Sequence, residues 1–150
     1  MTIFIIGSVE DTAAALDYKR FNKQIIECKW IIDMAEGRMK ESNHPAYLMY
    51  KDHIEWVKLY RDAFIAYREK DYPLCTLLSL RAEKIKPSFI CPELCENFKR
   101  RLYEKDPAHY VQWERLVATL ANYYFVNGQW LKYENGKKEI DNDFVKKCDA

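Results

Sequence analysis

Apolar positions recur at helical spacing along most of the chain. From about Glu10 to Met34, residues Ala14, Phe21, Ile25, Cys28 and Ile32 fall on one arc, and Gly37 follows the end of the pattern. Residues Arg38 to Asn43 form a polar connection. A second helix is expected from His44-Pro45 to about Lys70, with Asn43 as N-cap and Pro45 in the first turn. Its apolar arc holds Met49, His53, Trp56, Val57, Tyr60, Phe64 and Tyr67, with Lys51, Glu55, Lys58 and Asp62 opposite. Such an arc makes His53 a core histidine before it makes it a catalytic base.

A third helix is expected over about Leu74 to Lys84 and a fourth over about Pro92 to Glu104. KPSFICP between them is extended or turn, because each proline disfavours helix in the residue before it. DPAHYVQWERLVATLANYYF offers a cap and a fifth helix, from about Pro107 to Tyr124. At the other end, Thr2 to Ile6 (TIFII) is a short β-like run that Gly7 and Ser8 terminate. The tail, about 125–150, is turn-rich and aromatic, then charged. The expected fold is all-α: a single compact domain over 1–150, about five helices, with room for one short N-terminal strand.

Composition sharpens this only slightly. Of the 150 residues 49% are apolar and 31% charged, which is globular rather than disordered. Net charge is +1, so any contact with nucleic acid must rest on a local basic patch. The longest apolar stretch is too short for a membrane span, and MTIFIIGSVEDT lacks a basic leader region, which implies a cytosolic protein. The cysteines at 28, 75, 91, 95 and 148 form an odd, irregular set, expected to be reduced. Cys91 and Cys95 resemble half a zinc site, but no second pair stands at matching distance, so neither metal nor cofactor is expected.

The densest chemistry lies on the first helix. Arg20, Lys23, Gln24 and Glu27 share one face beside the apolar stripe, a grouping that suits an anionic ligand and equally suits ordinary surface pairing. Asn43 and His44 stand at a helix start, where backbone N–H groups favour anions or are simply capped. Lys99-Arg100-Arg101 is a compact basic run. WLKYENGKK, with Trp130, Lys132 and Tyr133, mixes aromatics and lysines as nucleic-acid surfaces do.

The string from Phe4 through Ile32, with TAAALDYKRFNKQIIE at its centre, resembles the opening of the pyrimidine dimer DNA glycosylase (endonuclease V-like) family. Leu16, Asp17, Arg20, Lys23, Gln24 and Glu27 match in order and spacing. Asn43, His44 and Pro45 follow, and then Lys105, Asp106, Pro107, His109 and Tyr110. Two departures stand out: Cys95, Glu96, Asn97 and Phe98 replace a histidine-rich patch, and Tyr50 replaces a tryptophan.

The resemblance implies an N-terminal amine as nucleophile. Thr2 presents one once Met1 is removed, and an α-amine titrating at about 8 is partly neutral at physiological pH. Glu27 is then the carboxylate that stabilises the sugar cation or moves protons. The activity implied is N-glycosylase and AP-lyase action on DNA carrying a pyrimidine dimer or an abasic site. The other reading is a non-catalytic protein of phage type on the same scaffold, which sequesters a nucleotide or blocks a host protein.

Overall fold

The computed structural model describes residues 1–145. The chain packs as two compact units, Met1–Pro87 and Ser88–Ala150.

The first unit holds five helices: α1 (Val9–Ala15), α2 (Tyr18–Ala35), α3 (Pro45–Tyr50), α4 (Ile54–Arg68) and α5 (Tyr72–Lys84). Each of the two long helices expected before Pro73 is broken once. The first breaks at Leu16–Asp17. Buried Leu16 is extended, and the Asp17 carboxylate caps the start of α2 by accepting from the Arg20 N–H. The second breaks over Lys51–His53, a turn that lets Tyr50 stack on Trp56 with centroids 5.6 Å apart. His53 is therefore not on an interior arc. It is a half-exposed residue at the N-terminus of α4.

Helix α4 is the spine of this unit and packs against α1, α2 and α5. Phe21 of α2 stacks on Phe64 of α4 at 4.9 Å, and Tyr60 stacks on Phe64 at 4.4 Å. Cys28, Ile31, Val57, Tyr60, Ala63 and Phe64 are wholly buried. Aromatic surface in such contacts is the main gain of folding here. The chain reverses after α4 at Lys70, which takes a left-handed φ of 63°, and Asp71 caps α5.

The expected N-terminal strand is absent. Thr2 to Ile6 is extended, but no strand pairs with it. Side chains satisfy its inward-facing backbone instead: Glu27 and Gln24 of α2, Tyr60 of α4 and Thr12 of α1.

The second unit overturns the all-α expectation. It begins with α6 (Pro92–Lys105), close to the expected fourth helix. The expected fifth helix does not form: only a single 3-10 turn, Val111–Trp113, is helical there, with Trp113 stacked on Tyr110 at 5.4 Å. Beyond it Asn97 of α6 donates through Nδ2 to the carbonyls of Thr119 (2.7 Å) and Ala121 (2.9 Å), which holds that backbone extended.

A three-stranded antiparallel meander follows: β1 (Asn122–Val126), β2 (Gln129–Glu134) and β3 (Lys137–Ile140). Both turns are Asn-Gly pairs with left-handed φ at each residue: 52° and 77° at Asn127-Gly128, 51° and 75° at Asn135-Gly136. That geometry matches the twist of paired strands, and Asn and Gly adopt it most cheaply. A 3-10 segment, Asn142–Val145, closes the described chain. The rest of the expected tail, residues 146–150 with Cys148, lies outside the described residues.

Candidate active site

The most constrained chemistry in the first unit surrounds the chain start. Helix α2 turns Gln24 and Glu27 inward, where they are 1% and 2% exposed, beneath the extended N-terminal segment. The Thr2 backbone N–H donates to Glu27 Oε2 at 2.8 Å. The other oxygen, Oε1, faces Lys23 Nζ at 3.8 Å, and the Lys23 side chain stays mostly in solvent. Burial raises the Glu27 carboxyl above the ordinary carboxylate range. The Thr2 hydrogen bond, the positive α-amino terminus and Lys23 all pull the other way. The carboxylate is thus buried and faces one nitrogen at each oxygen.

His44 caps α3. Its Nδ1 accepts from the Ala46 N–H at 3.1 Å, and its own N–H donates to Ser42 Oγ at 2.9 Å. The helix cap is His44, not Asn43, which is exposed. Burial, with the α-amino charge second, lowers the His44 imidazole below its ordinary value. With Nδ1 accepting, the neutral ring carries its proton on Nε2.

Arg20 does not reach into this group. Its Nη1 contacts both Asp17 carboxylate oxygens at 3.2 Å, so the residue that caps α2 also holds the guanidinium. Of the four residues on this face, Glu27 therefore meets the Thr2 nitrogen at one oxygen and Lys23 at the other, Arg20 is drawn to Asp17, and Gln24 is buried against backbone. Tyr60 and Asp17 are the site neighbours that pattern reading leaves out. Asp17 carries a signal, being an N-cap residue type ahead of an apolar-periodic run. Tyr60 carries none, because its spacing is that of any core aromatic.

The basic and aromatic candidates of the second unit are largely engaged within it. Lys99 pairs with Glu96 at 3.4 Å. Arg100 pairs with Glu104 at 2.7 Å and donates to the Glu114 carbonyl at 3.2 Å. Arg101 is buried over the Phe98 ring at 5.6 Å, and that burial lowers its guanidinium below the usual value. Trp130 is 3% exposed and packs between Phe125 and Phe144, so its ring offers no face to a base. Lys132 faces Glu139 at 3.7 Å, and half-buried Tyr133 meets Tyr124 edge-on. Among the described residues no cluster of His, Cys, Asp and Glu could hold a metal ion, and no helix is long and apolar enough to cross a membrane.

The chain start thus sets a backbone nitrogen against a buried carboxylate. Residues 1–70 match the family model described as pyrimidine dimer DNA glycosylase. The match lies wholly within the first unit and includes Thr2, Lys23, Glu27 and His44; Lys105 to Tyr110 fall outside it. No curated protein and no solved structure matches the chain.

Proposed function

We propose that this chain is an N-glycosylase with AP-lyase activity on DNA bearing pyrimidine dimers or abasic sites, with Thr2 as nucleophile and Glu27 as its carboxylate partner. One observation carries the reading: the Thr2 nitrogen sits 2.8 Å from Glu27 Oε2, within proton-transfer distance. With Met1 attached that nitrogen is an amide. Removal of Met1, which the small Thr2 side chain permits, makes the same atom a primary amine.

The neutral amine attacks C1′ of the damaged nucleotide. The N–C1′ bond forms as the glycosidic bond breaks, and the base leaves with the bonding electron pair. As the ionised carboxylate, Glu27 stabilises positive charge at C1′ as it develops, an effect strengthened by burial, and once the N–C1′ bond has formed it takes the proton the nitrogen sheds. Opening of the sugar ring leaves an imine. Loss of a C2′ proton then expels the 3′ phosphate, and water hydrolyses the imine to free the protein. On an abasic site the amine condenses directly with the C1′ aldehyde and releases water. Lys23, beside Glu27 and exposed, and Lys19, exposed one turn earlier on α2, supply the cations for the DNA backbone.

Borohydride trapping tests the proposal. Met1-processed protein with abasic or dimer-containing duplex should give a covalent protein–DNA adduct, and Glu27→Gln should bind the same duplex but trap poorly. No adduct with either substrate, from protein shown by anisotropy to bind them, would sink the reading.

A further inference from the structure

We infer that Gln24 is a positioning residue, which sets the register that puts the Thr2 nitrogen, rather than its neighbours, against Glu27. The inference rests on the amine reading above. The Gln24 side-chain amide behaves as a one-residue strand partner. Nε2 donates to the Thr2 carbonyl at 3.1 Å, and Oε1 accepts from the Phe4 N–H at 2.8 Å. In extended backbone the carbonyl of one residue and the N–H two residues later point the same way, so one planar amide closes both bonds. The Tyr60 hydroxyl donates to the Phe4 carbonyl at 2.6 Å and lies 3.1 Å from Gln24 Oε1. Burial holds that phenol well above its ordinary value, which keeps it a donor.

Four backbone groups on one edge, at residues 2 and 4, are thus fixed by three buried side chains. A slip of one residue would turn that edge away from α2, and a slip of two would present the residue 4 nitrogen to Glu27. Chain ends ordinarily fray unless tied down. Here the residue that has to deliver a nucleophile is tied at its own carbonyl, one peptide unit from the reacting atom.

Gln24→Met keeps length and volume but removes both hydrogen bonds, and Tyr60→Phe removes the brace. The test uses Met1-processed protein and two readouts. With saturating abasic duplex, well below the melting temperature, Gln24→Met should slow borohydride trapping at least tenfold. Duplex affinity should stay within about twofold, because misplacement of a reacting group costs rate rather than binding. Tyr60→Phe should fall between Gln24→Met and wild type. Separately, amide hydrogen exchange at Phe4 should accelerate at least tenfold in Gln24→Met while amides of α4 hold their rates. Wild-type trapping by Gln24→Met would overturn the positioning role. Unchanged Phe4 exchange would overturn the clamp even if the wild-type protein formed no adduct, so its failure and that of the amine mechanism are separable.

Discussion

The Thr2 nitrogen and the Glu27 carboxylate, 25 residues apart in sequence, meet at 2.8 Å beneath the start of the chain. Their contact gives Glu27 a testable signature in stability. Burial raises its carboxyl, so the native state holds that proton more tightly than the unfolded chain does. Between the ordinary value, 4.5, and the raised one, the native state binds more protons, and stability falls as pH rises. Glu27→Gln removes this titration. The melting temperature of the variant relative to wild type should rise as pH increases above the ordinary value of 4.5. A difference that is flat with pH would contradict the burial argument.

Asp17 serves both the α2 backbone and the Arg20 guanidinium. Asp17→Ala should cost about 1 kcal/mol in denaturant unfolding, the usual loss for an N-cap. It also releases Arg20 toward solvent, so affinity for abasic duplex should hold or tighten. Weaker binding with unchanged stability would place Asp17 in the DNA interface instead.

The helices were legible wherever apolar spacing and proline agreed: Tyr72–Lys84 and Pro92–Lys105 lie close to their expected bounds. The breaks at Leu16–Asp17 and Lys51–His53 were not, because each sits inside an apolar pattern that continues past it. The meander departs furthest from the helical expectation, although the sequence carries its signal. Asn127-Gly128 and Asn135-Gly136 sit between aromatic and alternating segments, the strongest local hairpin mark a sequence carries. The segment from about Pro107 to Tyr124 reads as a capped helix, whereas Asn97 holds the backbone at Thr119 extended from 22 residues away.

At the site, the sequence placed Glu27 and Lys23 on one face but could not show that Arg20 turns to Asp17. Nor could it show that Thr2 to Ile6 pairs with side chains rather than with a strand. The first is one of several local pairings open to Arg20, an i,i+3 contact; the second depends on contacts of Phe4 with Gln24 and Tyr60, 20 and 56 residues away.

Trp130 separates a packing role from a stacking one. Trp130→Ala should cost about 3–5 kcal/mol in the second unit, as large core truncations do. Trp130→Phe, which keeps an aromatic between Phe125 and Phe144, should leave duplex affinity within about twofold. A tenfold loss of affinity from Trp130→Phe in a folded protein would show that the ring meets DNA.

The most direct measurement locates the atom that bonds to the sugar. Borohydride-trapped complexes of Met1-processed protein with abasic duplex would be digested and the modified peptide sequenced by mass spectrometry. The modification should lie on the Thr2 α-nitrogen, and a single residue added before Thr2 should lower the trapped yield at least tenfold. An adduct on Lys23, whose ammonium lies 3.8 Å from the same carboxylate, or a yield unchanged by the added residue, would contradict the account.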